Sequence, residues 1–184
     1  MAFWSSAPSS EPRRNFKFIL RVLGLPVWVV KTVTLPEITV NNAEHKFLNH
    51  TFYFPGTVTY NEISFTVVDS INEDISRNIL RSFANTGYNT PESETAARSS
   101  LISKGAAVQS LGNITIQQLG NGESGTSSSI GFKLRNAWIS KLTFPQGLDY
   151  ASEDLSDIQV SLKYDFFDFL RPGPPNEKVS GFGA

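Results

Sequence analysis

The sequence predicts a mainly β fold, a small antiparallel β-sandwich or barrel with one packed α-helix. Two observations carry the strands. Ile63, Phe65 and Val67 alternate with Glu62, Ser64 and Thr66, and Ile158, Val160, Leu162, Tyr164 and Phe166 repeat the same two-residue period. A third carries the helix: Ile71, Ile75, Ile79 and Phe83, with Leu80 beside them, fall on one helical stripe. With 184 residues, 40% of them hydrophobic, the chain has material for one domain with a real core.

Each element follows in order. Residues 1–15, rich in Ser and Pro, read as a flexible arm, disordered in the isolated subunit; the alternative is that Phe3 and Trp4 form a small aromatic anchor that docks on a neighbour. Phe16, Phe18, Leu20 and Val22 alternate with Lys17 and Arg21 as the opening strand. After the Gly24-Leu25-Pro26 turn, Val27, Val29, Val33 and Leu35 share a face, so the pair reads as a hairpin. Leu35 precedes Pro36 and favours extended geometry, which opens a long arm over 37–57. The arm closes in a Phe54-Pro55-Gly56 corner and leads into the strand 58–68. Ser70 and Glu73 form a capping-box pair for the helix, and Gly87 stops it.

Residues 88–108 are polar and Ser/Ala-rich, with room for a short helix over Glu92 to Ser103. Leu111 to Leu119 reads as a strand and Gly120 to Ser128 as a loop. Ile130, Phe132, Leu134, Trp138, Leu142 and Phe144 alternate with Lys133, Arg135 and Lys141. That pattern predicts one long strand with an apolar and a cationic face. The domain proper runs over 16–169, and residues 170–184 read as an extended Pro/Gly-rich tail.

Composition and motifs argue against catalysis. Sixteen basic and 17 acidic residues balance to a net charge of −1, so whole-chain charge makes no case for nucleic-acid or membrane binding. The absence of cysteine excludes disulfides and thiolate chemistry. No basic segment followed by an apolar one marks a secretory signal, and the run from Leu23 to Val30, broken by Gly24 and Pro26, is too short to span a bilayer. A soluble chain is expected, in which the sequons at Asn49 and Asn113 carry no meaning. Gly120 to Gly125 matches GxGxxG, but serines and a strand follow instead of the helix a pyrophosphate needs.

His45 and His50 are the only histidines, and their odd separation places them on opposite faces of a strand, which disfavours a metal site. The acidic run Asp149, Glu153, Asp154 and Asp157 lacks the alternating ligands and turn glycine of a calcium loop. No GxSxG elbow is present. The expectation is a non-enzyme without cofactor or metal.

Two sets of residues remain as candidates for contact. The arm carries Phe47, Phe52, Tyr53, Phe54 and Pro55, more apolar surface than a short arm buries on itself, which points to a partner that covers it. Lys133, Arg135 and Lys141 form a cationic row, expected to be paired with acids such as Glu62 or Asp157 or to lie at an interface.

The order of these elements resembles the tail tube protein family of contractile-tailed bacteriophages and related contractile injection machines. The likeness rests on the Phe16–Val22 strand, on Val33-Thr34-Leu35-Pro36 and on the arm closing in Tyr53-Phe54-Pro55-Gly56. The continuation 58–69, the helix 71–83 and the final strand 158–169 complete it. The resemblance implies homohexameric rings stacked into a tube, with sheets joined between subunits into a ring barrel around a lumen that DNA passes without specific binding. It implies as partners a sheath and the baseplate and neck proteins, and as a location the phage tail of a virion assembled in the host cytoplasm. A tube initiator or terminator ring is the neighbouring reading. A β-sandwich ligand-binding module is the reading from a different class.

Overall fold

The structure, a computed structural model, describes residues 13–72, 74–88, 90–95, 101–120, 129–145 and 147–170. The strands are β1 (Phe18–Arg21), β2 (Val30–Val33), β3 (Ile38–Phe47), β4 (His50–Tyr60), β5 (Ile63–Val68), β6 (Ile114–Gln118), β7 (Ile130–Arg135), β8 (Trp138–Thr143), β9 (Asp157–Lys163) and β10 (Phe166–Leu170). The helices are α1 (Ile75–Ala84) and α2 (Lys104–Leu111). Two four-stranded antiparallel sheets, ordered β1-β6-β7-β10 and β2-β5-β9-β8, enclose one core, and β3 pairs with β4 as a separate ribbon.

The two-residue period sets the core. Leu20, Ile114, Ile116, Leu134 and Phe167 point inward from one sheet, and Ile63, Phe65, Val67, Ile158, Val160 and Leu162 from the other. Burying a side chain of this size stabilises by about 1.5–3 kcal/mol. α1 adds Ile75 and Ile79 to the same cluster, and α2 adds Leu111. The mainly β antiparallel sandwich with a packed helix is therefore the observed fold.

Several elements differ from the sequence expectation. β1 and β2 do not form a hairpin: β1 pairs with β6 and β2 with β5, so the chain crosses between sheets at the Val27–Val29 turn. The 130–144 strand is two strands in different sheets, turned at Asn136 (φ 55°). The final strand likewise splits into β9 and β10. These two corners are tied together. Asp165 donates its amide to the Arg135 carbonyl (3.1 Å), while its carboxylate accepts from Asn136 Nδ2 (2.7 Å) and Lys104 Nζ (2.7 Å). The Lys104 contact first, and the Asn136 bond second, hold the Asp165 carboxyl below its ordinary range. Its stabilising contribution is thus present above the ordinary pKa and lost as pH falls through the depressed one.

α1 begins at Ile75 rather than Ile71, which lies outside the helix and is fully solvated. Asp74, in left-handed conformation, caps it by accepting from the Arg77 amide, and Asp69 accepts from the amide and hydroxyl of Ser76. The Ser70 carbonyl accepts from the Asp74 amide (2.9 Å), and its expected capping-box partner, Glu73, lies outside the described residues. A further helix lies at 104–111, where Ser103 caps it by accepting from the Ala106 amide; of the stretch 92–103, residues 94 and 95 are helical and 96–100 lie outside the described residues.

Gly87 does stop α1, at φ 101°, and a Cβ added there would lie 2.4 Å from the Leu101 carbonyl oxygen. Gly87→Ala is expected to lower stability by about 2 kcal/mol through the positive φ and that clash, read as a lower urea midpoint at unchanged slope.

Candidate functional site

The arm is not an open strand with a corner. β3 and β4 pair with each other from Ile38↔Tyr60 to Phe47↔His50, and Leu48-Asn49 closes the turn. The ribbon projects about 30 Å at roughly 3.3 Å per residue. Nearly all of it is exposed, and its packing is with itself rather than with the sandwich. Pro55 and Gly56 lie within β4, where the register shifts opposite Val40–Asn42. Two residues of β4, Gly56 and Thr57, stand against Asn41 there. A Cβ at position 56 would meet the Asn41 carbonyl oxygen at 3.0 Å, so glycine permits the bulge.

The bulge moves the apolar stripe from one face of the ribbon to the other. Near the base, Ile38, Val40, Val58 and Tyr60 share a face, and Thr39, Asn41, Thr57 and Thr59 share the opposite one. Side-chain bonds confirm the polar set: Asn41 Nδ2 donates to Thr57 Oγ1 (3.0 Å), and Asn61 Nδ2 to Thr39 Oγ1 (2.8 Å). Beyond the bulge that same polar side becomes aromatic, with Ala43 opposite Phe54, His45 opposite Phe52 and Phe47 opposite His50. Tyr53 and Pro55 fall on the other side, opposite Glu44 and Asn42. The five arm residues singled out from the sequence are therefore all exposed but divided between two faces. The histidines do share a face, contrary to the sequence reading, because they stand on opposing strands; the His50 ring meets Phe52 edge-on at 4.6 Å.

At its root the ribbon joins the core through Tyr60, whose ring packs edge-on against Tyr164 (6.1 Å) and Phe167 (5.8 Å). Among the described residues the buried Tyr164 hydroxyl finds no hydrogen-bond partner. Burial raises its pKa above the ordinary value of 10.0. Tyr164→Phe is expected to stabilise by about 1 kcal/mol by removing an unsatisfied group. The folded-state pKa is the higher one, so wild-type stability holds below pH 10.0 and declines as pH rises through the raised pKa, whereas the phenylalanine variant lacks that decline. Urea midpoints of both proteins at pH 8 and pH 11, taken relative to one another, check this.

The cationic row is dispersed by the β7–β8 corner. Lys133 and Arg135 stand on the outer face of one sheet and Lys141 on the outer face of the other. Arg135 pairs with the buried Asp168 at 2.5 Å, and neither Glu62 nor Asp157 is its partner. Glu62 accepts from Ser140 Oγ (2.6 Å), and Asp157 pairs with Lys31 (2.6 Å). The sequence reading missed a different feature of this region. The register places Ser64, Ser161 and Lys141 in one row and Thr66, Gln159 and Thr143 in the next, with Asp157 and Lys163 on the same face of β9, giving β5-β9-β8 an outer face of hydroxyls and amides with charges of both signs.

The acidic run is occupied with local turn bonds, Asp149 accepting from the Ala151 amide and Asp154 from Ser152 Oγ. Among the described residues no three metal-ligating side chains gather. The residues after Gly120 in the glycine motif, and Phe3 and Trp4, lie outside the described residues.

No protein-family model and no curated protein matches the chain. Solved structures do. A chain of the sheath/tube terminator of the extracellular contractile injection system PVC, in its extended state, superimposes at TM-score 0.57 and 17% identity, covering 86% of this chain and 96% of that one. A chain of the six-fold symmetrised baseplate of the anti-feeding prophage gives 0.55 at 11%, covering 84% and 91%. One from the extended PVC sheath–tube complex gives 0.51 at 17%, covering 87% and 92%. What this chain has in common with those components of contractile injection systems is the fold, and it is the fold to which the resemblance in the sequence pointed.

Proposed function

We propose that the chain is a structural subunit of the inner tube of a contractile tail or injection machine, assembling as stacked hexameric rings. The single observation that carries this reading is the projecting β3–β4 ribbon, which leaves Phe47, Phe52 and Phe54 exposed on a domain whose own core is complete without them. A ribbon that reaches its own core only through Tyr60 at its root, on a fold found in tube, terminator and baseplate assemblies, is suited to join subunits. The free edges β1, β2, β8 and β10 are the strands through which sheets of neighbouring subunits would join, removing edges that invite aggregation. The outer face of β5-β9-β8 is polar, with hydroxyls and amides beside Lys141, Lys163 and Asp157, and suits the wall of a water-filled lumen. On this reading the working unit is residues 16–169, with sheath outside and baseplate and neck proteins at the ends.

A terminal ring is the second reading, favoured by the likeness to the terminator and baseplate chains. Negative-stain electron microscopy across a concentration series separates the two. Hollow tubes support the tube subunit and single capped rings the terminal one. A monomer at every concentration, unaltered by added baseplates, overturns both.

A further inference from the structure

We propose that the chain's own N-terminal segment, residues 1–12, docks in the cleft between the edge strands β1 and β2, anchored by Phe3 and Trp4. Cleft and segment belong to one chain, so the inference stands apart from any assembly of subunits.

The cleft holds about 380 Å³, within the ordinary size range of sites that take a small ligand. Phe18 of β1 and Ile116 of β6 wall one side, and Val33 of β2 with Leu35 just beyond it wall the other. Leu35 keeps 48% of its surface exposed there. β1 and β2 are each the end strand of their sheet among the described residues, so the sandwich stands open between two edges at this place. Asn15 and Gln118 set side-chain amides beside the apolar walls, and Lys31 is already engaged by Asp157. Apolar walls with neutral polar groups suit an aromatic ring carrying one polar atom, and indole, with its N–H donor, is such a ring.

Three features of the chain name the occupant. Asn15, which lines the cleft, lies in the turn that the Lys17 amide closes on the Arg14 carbonyl (3.2 Å). Residues 1–12, which lie outside the described residues, therefore join the domain beside the cleft's mouth. Trp4 stands eleven positions before Asn15, a reach of up to about 40 Å, so it can return to the cleft without strain. A tether this short gives a millimolar effective concentration, which favours the chain's own segment over a free partner or a second copy.

Phe3 and Trp4 are the only aromatic residues of the segment and stand among Ser, Ala and Pro, so they hold most of the surface that burial would reward. Pro8 and Pro12 lack amide donors. A segment laid across the β1 and β2 edges thus covers them while offering few donors of its own to a further strand.

The chain has no cysteine, so an introduced pair reports proximity directly. The test is disulfide formation under glutathione disulfide in the full chain carrying Ser5→Cys/Gln118→Cys, where position 118 lines the cleft. Ser5→Cys/Gln117→Cys is the control, because Gln117 neighbours Gln118 on β6 but faces away from the core. The expected result is an intrachain bond that forms at least about tenfold faster with position 118 than with 117. Adding Phe3→Ser/Trp4→Ser, outside the folded domain, should abolish that advantage. Equal rates for the two pairs overturn the inference. So does an advantage that survives loss of both aromatics, since the tether alone would then explain it. A bond formed mainly between chains also overturns it, by making the occupant a second copy's segment.

Discussion

Excising residues 41–57 and joining Val40 to Val58 through Asn-Gly is expected to leave a folded monomer that no longer assembles. Val40 and Val58 are register partners, so a two-residue turn spans them without moving the ribbon's root. Tyr60 keeps its packing on Tyr164 and Phe167, and no core side chain is removed. The thermal midpoint should therefore stay within about 5 °C of the wild type. Association should fall by at least about a hundredfold, because the excised segment carries all the exposed aromatic surface of the arm. Calorimetry and sedimentation of the same preparation check both halves. A large drop in melting temperature would mean that the ribbon supports the domain after all, and retained assembly would mean that other surfaces join the subunits.

Arg135→Ala is expected to be the most destabilising single change away from the apolar core. Asp168 is 6% exposed, and Arg135 holds its Oδ2 through both Nε and a terminal nitrogen at 2.5 Å. Removing one partner of a buried pair strands the other charge at a cost of about 3–5 kcal/mol. The Arg135 side chain retains 38% exposure, which lets water reach the site, so about 2–4 kcal/mol is expected here. The double variant Arg135→Met/Asp168→Leu should recover most of the loss, since it leaves no orphaned charge. Chemical denaturation of the two variants decides the point, and a double variant no more stable than the single one would refute the argument.

Arg135 does pair with an acid, but with Asp168 and not with Glu62 or Asp157, for a geometric reason: the chain changes sheets between Arg135 and Trp138. The signal was in the sequence as a change of parity: inward residues are even at 132 and 134 and odd at 137 and 139. Asn136, at φ 55°, marks the place, and the same change separates Leu162 from Phe167 at the other corner. A strand that shifts its apolar parity is a corner, and reading only the even positions concealed it.

Fold class, the inward faces of β5 and β9, the α1 stripe from Ile75 to Phe83 and the excess of aromatic surface in the arm were all legible in the residues alone. These follow from local periodicity, which hydrophobic burial enforces wherever one side of an element meets the core. Tertiary structure alone decided which strands pair, that the arm folds back on itself, and that His45 and His50 share a face. Register and pairing depend on residues far apart in the chain. Two histidines at odd separation diverge on one strand yet converge across a hairpin, and only the turn at Leu48-Asn49 and the bulge at Gly56 choose between those outcomes.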